Sequence, residues 1–184
     1  MGQTGNLGDL MIDIETMGNK SQSVICSIAA IEFDIATGQT GRSFYEKASI
    51  QSCLDIGLKV GGDTIEWWLS QGDKARQEIS VGGKNISEVL HKFRLFLEDL
   101  GTENLQIWGN SPRFDLGILE DAYTATKHQI PWNFRLERDL RTLVSFAPEI
   151  KRNCQIVGTA HLPIDDCLFQ IEYCCAIWKK LTII

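Results

Sequence analysis

Two acidic residues within an apolar stretch constrain the fold of this chain more than any other feature. The stretch runs from Asp9 to Thr16, and it contains Asp13 and Glu15 with one residue between them. Because side chains alternate faces along a β-strand, these two carboxylates would point the same way. Two buried like charges are costly unless cations neutralise them. We therefore predict a core strand over residues 9–16 that carries a cation site.

The length and composition of the chain predict one domain with a substantial core. Of the 184 residues, 43% are hydrophobic and 23% are charged, which is an ordinary balance for a globular protein. No apolar run approaches the ~20 residues that cross a bilayer, so no membrane association is expected. We expect residues 1–8 to form a flexible leader and residues 9–184 to form a single domain.

The cysteines and the net charge narrow the class of protein. None of the six cysteines forms a Cys-x2-Cys pair, so core thiols in a reducing cytoplasm are favoured over disulfides or zinc. The net charge of −6 argues against a protein whose whole surface binds phosphate. It does not exclude a nucleic-acid enzyme whose acids hold cations. An acidic protein without a polyanionic partner is equally consistent with the charge alone.

The order of the predicted elements indicates a mixed sheet with helices packed around it. Strands are expected over residues 9–16, 24–33, 42–50 and 105–108, and the first three form an antiparallel meander. One helix, which Asp63 or Thr64 caps, is expected to contain residues 65–69, and a second short helix is expected to start at Asp73. Further helices are expected over 87–100, 114–126, 139–146 and 163–181. This alternation is typical of an α/β fold.

Two further motifs place an acid and a histidine at the ends of predicted elements. Asp115 follows the fourth strand, in the segment that begins at Trp108, and His161 precedes Asp166 with four residues between them. Each residue alone has an ordinary explanation: Asp115 favours a helix N-terminus, and His161 suits a cap or a surface. Their order and spacing together are far more specific.

These residues together resemble the His-containing (DEDDh) branch of the DEDD exonuclease superfamily. Further matches occur in order in the segments Asp13–Gly18, Asp63–Trp68, Trp108–Asn110 and Arg138–Thr142. The similarity covers roughly residues 9–181. It extends to the small phage and bacterial 3′–5′ exonucleases, which include the T-even phage exonuclease A and the mycobacterial exoribonuclease group. The resemblance implies a ribonuclease H-like fold.

The resemblance also implies a metal site and a general base. Asp13, Glu15, Asp115 and Asp166 would be ligands of two Mg²⁺ or Mn²⁺ ions, and His161 would accept a proton from the attacking water. Carboxylate oxygens suit these hard cations, and a pair of such cations promotes phosphodiester hydrolysis. An imidazole, with an ordinary pKa near 6.5, suits a general base.

Two details of the His161 motif lead to further expectations. The chain offers both Asp165 and Asp166 as the last acid, and the spacing in the family selects Asp166, so we expect Asp165 to be solvated. Relatives usually carry a small or polar residue after the histidine, whereas Leu162 and Pro163 follow here. The proline is expected to stiffen the segment that carries His161.

Substrate contacts are expected from aromatic residues and from the turn after the first acids. Trp67 and Trp68 are candidates for base stacking, worth ~1–3 kcal/mol per base, with one facing the substrate and the other packing inward. The resemblance implies that the backbone at Thr16 and Met17 contacts the terminal 3′-OH and that the Met17 side chain wedges against the last base. Asn110 is a further expected contact. Whether Arg138, Asp139 and Arg141 touch substrate is left open.

The predicted function is release of nucleoside 5′-monophosphates from the 3′ ends of single-stranded DNA or RNA. The alternatives are a catalytically inactive nucleic-acid-binding module of the same fold and, less well supported, a metal-dependent phosphatase. The intact acids and His161 argue against the inactive module. A location in the cytoplasm of a bacterial or phage-infected cell is expected, and the relatives imply a homodimer. The sequence does not choose between DNA and RNA.

Overall fold

The computed structural model describes residues 7–80, 82–155 and 158–182. Residues 1–6 of the expected leader lie outside these ranges. Leu7 and Gly8, the last two residues of that leader, are attached to the domain. The Leu7 amide donates to Glu32 Oε1 at 2.9 Å, and the Gly8 carbonyl accepts from the Gln106 amide at 2.8 Å.

A five-stranded mixed sheet forms the centre of the molecule, in the order β3-β2-β1-β4-β5. Its strands are β1 (Asp9–Thr16), β2 (Ile25–Phe33), β3 (Thr40–Lys47), β4 (Gln106–Gly109) and β5 (Glu137–Asp139). Strand β1 pairs antiparallel with β2 and parallel with β4, and β4 pairs parallel with β5. The predicted meander and mixed sheet are therefore confirmed.

Within the described residues, eight α-helices surround the sheet. They are α1 (Ile50–Asp55), α2 (Gly62–Leu69), α3 (Asp73–Ser80), α4 (Ile86–Leu100), α5 (Pro112–Ala125), α6 (Leu140–Ser145), α7 (Pro148–Asn153) and α8 (Pro163–Thr182). Helix α4 begins where Asn85 caps it, and its apolar stripe packs on the sheet. The sequence did not predict α1 or α7, although it did predict α6, which is equally short.

Alternation along β1 divides its side chains between two cores. Leu10, Ile12 and Ile14 face the core that contains α4, whereas Met11 faces the core that contains α8. Odd-numbered positions of β1 therefore point towards α8, and Asp13 belongs to this set. Among the described residues, no helix is both long and apolar enough to cross a bilayer.

Candidate active site

The first pair of acids stands near the carboxyl end of β1, on the face that looks towards α8. Glu15 is 9% exposed and Asp13 is half-buried. The register of β1 and β2 shifts between Glu15 and Thr16, where Cys26 of β2 is skipped and β1 itself continues without an extra residue. The two carboxylates thus share one face, as the i and i+2 spacing predicts.

Parallel pairing of β1 with β4 brings the third acid to the same edge. Gly109 ends β4 opposite Ile12, and the chain then enters α5. A Cβ added at Gly109 would lie 3.1 Å from Asp115 Oδ2, so the glycine permits this close approach. Asp115 is buried, and its Oδ2 accepts a hydrogen bond from the Ser111 amide at 3.1 Å. Asp115 therefore projects from the first turn of α5 with little freedom to move.

Helix α8 contributes the fourth acid and fixes the segment that carries the histidine. Asp166 Oδ2 accepts from the His161 amide at 2.9 Å, and His161 adopts a left-handed backbone with φ 64°. Asp165 is not free in solvent, contrary to our expectation, because its Oδ2 accepts from the Thr159 amide at 2.8 Å. A Cβ at Gly158 would lie 2.6 Å from the Asp165 carboxyl carbon. Both acids of the motif thus anchor the loop before α8.

These elements bring the five expected catalytic residues to one cleft. Ligand atoms of Glu15, His161 and Asp166 all lie within 4.8 Å of one another. Asp13 and Asp115 line the same cleft, whose volume is about 450 Å³. The donor set is therefore four carboxylates and one imidazole, drawn from β1, α5, α8 and the loop before α8.

The carboxyl groups carry a large electrostatic penalty when no cation is bound. Burial raises the pKa of Glu15 to about 10, with further contributions from the Asp13 and Asp166 carboxylates. Burial and the charges of Asp115 and Asp166 hold the pKa of Asp13 well above its ordinary value. Burial raises the pKa of Asp115 to about 7 in spite of hydrogen bonds from backbone amides. Oxygen-rich, charge-crowded clefts of this kind fit hard divalent cations.

Gln170 is a site residue that the sequence reasoning missed. Its Nε2 donates to Asp13 Oδ1 at 2.7 Å, and the residue is 5% exposed. Its Oε1 has no hydrogen-bond partner among the described residues. Gln170 lies four residues after Asp166 in α8, so it occupies the same helix face. That spacing was the available signal.

The tryptophan pair divides as expected between the core and the cleft. Trp68 is 2% exposed and its Nε1 donates to the Thr16 carbonyl at 2.9 Å, whereas Trp67 is 42% exposed. The Trp67 ring meets the His161 ring edge-on, with 4.9 Å between centroids. Trp67, Trp68 and Thr16 line a second cavity of about 390 Å³. It shares Ile14, Glu15 and Phe114 with the acid cleft, so the two cavities adjoin each other.

Met17 is placed differently from the expectation. Its side chain is buried in the core that contains α4 and does not line either cavity. Met17 lies beyond the end of β1 at Thr16, in the bend that follows, so the alternation of the strand does not set the direction of its side chain. The Met17 amide donates to the Val24 carbonyl at 2.9 Å, and the Met17 carbonyl accepts from the Gly61 amide at 2.6 Å. Both backbone groups are therefore occupied within the fold.

The remaining polar candidates separate into structural and cleft-lining residues. Asn110 lines the acid cleft, and its buried Oδ1 has no partner among the described residues. Asp139 caps α6 by accepting from the Arg141 amide at 3.0 Å and from Thr142 Oγ1 at 2.6 Å. Arg138 donates to backbone carbonyls near its own position. Arg141 lines the acid cleft.

Comparisons with known proteins agree with this geometry. The family model of the 3′–5′ exoribonuclease Rv2179c-like domain matches residues 8–178. An exodeoxyribonuclease of Enterobacteria phage T4 is 29% identical over 160 residues, which cover 74% of this chain and 70% of the phage protein.

Solved structures show the same fold at low sequence identity. Cell-death related nuclease 4 matches with a TM-score of 0.65 and 15% identity, over 94% of this chain and 64% of that nuclease. The nuclease domain of 3′hExo, a DEDDh family member bound to rAMP, matches with a TM-score of 0.61 and 12% identity, over 94% and 92% of the two chains. The Escherichia coli ExoI–ssDNA complex matches with a TM-score of 0.60 and 14% identity, over 93% and 39%. The chain thus spans less than two thirds of two of these three structures, and the predicted ribonuclease H-like class is confirmed.

Proposed function

Since this chain belongs to the Rv2179c-like 3′–5′ exoribonuclease domain family, we propose that it hydrolyses single-stranded nucleic acid from the 3′ end with two divalent cations. Membership confirms the predicted superfamily and the predicted 3′–5′ exonuclease class. The cations, the strand preference and the role of each residue are the parts that we propose.

The observation that carries the proposal is the convergence of four acids and one histidine in one cleft. Asp13, Glu15, Asp115 and Asp166 would hold Mg²⁺ or Mn²⁺, because their crowded carboxylates need positive charge and offer only hard oxygen ligands. When bound, such cations supply positive charge that stabilises the phosphate oxygens and eases deprotonation of the attacking water.

The protein residues then position the water and receive its proton. The His161 backbone amide donates a hydrogen bond to Asp166, and the Trp67 ring contacts the His161 ring edge-on. These contacts hold the imidazole beside the acids. It accepts the proton as the water oxygen attacks phosphorus and the P–O3′ bond breaks, and the departing O3′ takes a proton from solvent. The products are a nucleoside 5′-monophosphate and a strand shortened by one nucleotide with a new 3′-OH.

The second cavity would receive the terminal nucleoside. Trp67 offers an exposed ring for stacking, and Trp68 fixes the Thr16 backbone beneath it. Thr16 lines this cavity and Met17 does not, so Thr16 is the better candidate for contact with the 3′-OH. Asn110 lines the acid cleft and is a proposed substrate contact there.

A labelled-oligonucleotide assay tests this function. Matched DNA and RNA strands with a 3′ or a 5′ label are incubated with Mg²⁺, with Mn²⁺ and with EDTA. We expect the 3′ label to appear first as a mononucleotide, the 5′ label to give a descending ladder, and EDTA to abolish both. Asp166→Asn should be inactive, whereas Glu172→Gln, an exposed site on the same helix, should retain activity. Efficient cleavage of a single-stranded circle would contradict the exonuclease mechanism.

The same assay separates the alternatives. A catalytically inactive binding module would retain the oligonucleotide without releasing any label, and a phosphatase would prefer a phosphate monoester to bis(p-nitrophenyl) phosphate. The homodimer implied by the relatives stays a prediction, for which sedimentation equilibrium is the test. The cytoplasmic location likewise stays a prediction.

A further inference from the structure

Two basic residues line the acid cleft without pairing with its acids. Arg141 of α6 and Lys151 of α7 border the same cavity as Asp13, Asp115 and Asp166. Within residues 7–80, 82–155 and 158–182, neither cation forms an ion pair with a carboxylate. Cations usually satisfy nearby acids when they can reach them, so the charge on these two side chains is available for another anion.

Lys151 is held at the cleft by its surroundings. Its Nζ lies 5.0 Å from the centroid of the Tyr173 ring, a cation–π arrangement that orients the side chain. Lys151 is half-buried, and burial together with the nearby Arg141 charge lowers its pKa. An anion placed between the two cations would relieve both of these penalties.

The two cavities give the cleft a direction. The cavity with Trp67 and the cavity with Arg141 and Lys151 meet at their shared lining residues Ile14, Glu15 and Phe114. If the terminal nucleoside occupies the cavity with Trp67, the four acids contact the last phosphodiester linkage. The rest of the strand then leaves past the two basic residues.

We propose that Arg141 and Lys151 bind a backbone phosphate on the 5′ side of the scissile linkage. This inference rests on the proposed function and extends it to a residue pair that the sequence reasoning did not combine. A guanidinium offers a planar pair of donors and an ammonium offers a compact charge, and both match the two free oxygens of a phosphodiester. The contact would be independent of base identity.

Salt dependence of binding tests the phosphate contact directly. Fluorescence anisotropy with a labelled single-stranded 12-mer is measured in Ca²⁺, under conditions in which a gel shows no cleavage. Loss of one phosphate contact lowers the slope of log K against log salt by about 0.7 on a single strand. We expect Lys151→Met and Arg141→Met each to lower the slope by about this amount and to weaken low-salt binding by roughly 5- to 20-fold.

Two variants serve as controls for this measurement. Lys179→Met removes the same charge from the exposed far end of α8, about 20 Å from Asp166 along the helix, and should leave the slope unchanged. Lys151→Arg keeps the charge and should restore most of the slope. A loss of affinity in Lys151→Met with an unchanged slope would indicate a packing role against Tyr173 and would overturn the inference.

Neutral linkages locate the contacted phosphate. A methylphosphonate is placed at the last, second or third linkage from the 3′ end, and wild type is compared with Lys151→Met. The loss of affinity caused by Lys151→Met should disappear when the second or third linkage is neutral. It should persist when only the last linkage is neutral. Disappearance at the last linkage alone would overturn the placement.

The outcomes for the basic pair and for the enzyme are separable. If wild type degrades 3′ ends but the slope of Lys151→Met is unchanged, the inference fails and the proposed function stands. If wild type binds with the expected slope change but releases no label in Mg²⁺ or Mn²⁺, the proposed function fails and the phosphate contact stands.

Discussion

Removing one carboxylate from the cleft should stabilise the protein when no cation is present. Burial and neighbouring acids raise the pKa of Glu15 to about 10, against an ordinary value of 4.5. Between these values Glu15 is ionised in the unfolded chain and protonated in the folded one. The folded state therefore loses stability as the pH rises from 4.5 towards 10. Glu15→Gln keeps the shape and removes the titration.

The expected size of this effect follows from the same difference. The ordinary pKa of Glu15 is 4.5, so pH 7 lies about 2.5 units above it. Each pKa unit corresponds to about 1.36 kcal/mol, so the penalty on the folded state is roughly 3 kcal/mol. Glu15→Gln should raise the free energy of unfolding by up to that amount at pH 7 and by little near pH 4. For a chain of this length the melting temperature should rise by roughly 6–12 °C.

Glu32 supplies a matched control with the opposite sign. Glu32 is also buried in the sheet, but hydrogen bonds from Arg42 and from the Leu7 amide outweigh its burial and lower its pKa. Its stabilising contribution is present at neutral pH and is lost as the pH falls through its lowered pKa. Glu32→Gln should therefore cost roughly 1.5–3 kcal/mol at pH 7, because a charge-assisted hydrogen-bond network is broken.

The assay is urea unfolding of wild type, Glu15→Gln and Glu32→Gln in EDTA at pH 5, 7 and 8.5. Mg²⁺ or Mn²⁺ should then stabilise wild type more than Glu15→Gln, because the substitution removes a charged ligand. The reasoning would be refuted if Glu15→Gln were less stable than wild type in EDTA at pH 7 while Glu32→Gln behaved as expected. The acids would in that case be held by favourable contacts rather than crowded together.

Three further predictions concern the catalytic residues. His161→Ala should slow turnover by about 10²–10⁴-fold and flatten the acid limb of the rate–pH profile, while calorimetry should show cation binding little changed. An unchanged rate and profile would assign the base elsewhere. Gln170→Leu removes the donor to Asp13 and should weaken cation affinity by about 10–100-fold, an effect absent if Gln170 only fills space. Trp67→Ala should raise KM for oligonucleotides by roughly 5- to 100-fold, whereas Trp67→Phe should recover most of the loss.

Local patterns were sufficient for the elements that carry the acids. Strand alternation placed Asp13 and Glu15 on one face, and the structure has them there. The apolar spacing of α4 and the proline at the start of α8 located both helices to within a residue or two. These features depend on neighbours within one or two turns, which the sequence displays directly.

Other features depend on geometry that the sequence does not display. Met17 lies in the bend after β1 and packs in the core that contains α4, a direction that strand alternation does not predict. Lys151 lies in α7, a helix that the sequence did not predict, and its position over Tyr173 joins two helices. Gln170 was in principle detectable from its spacing to Asp166.

Asp166 has two functions that a single substitution would remove together. Asp166 faces the cleft as a proposed ligand, and its Oδ2 also accepts the His161 amide and so helps to hold the left-handed backbone there. Asp166→Ala would remove a ligand and release the general base in the same step. His161→Ala leaves Asp166 in place, and the Asp165 contact with Thr159 still anchors the loop. For this reason the histidine variant separates proton transfer from cation binding, and the aspartate variant does not.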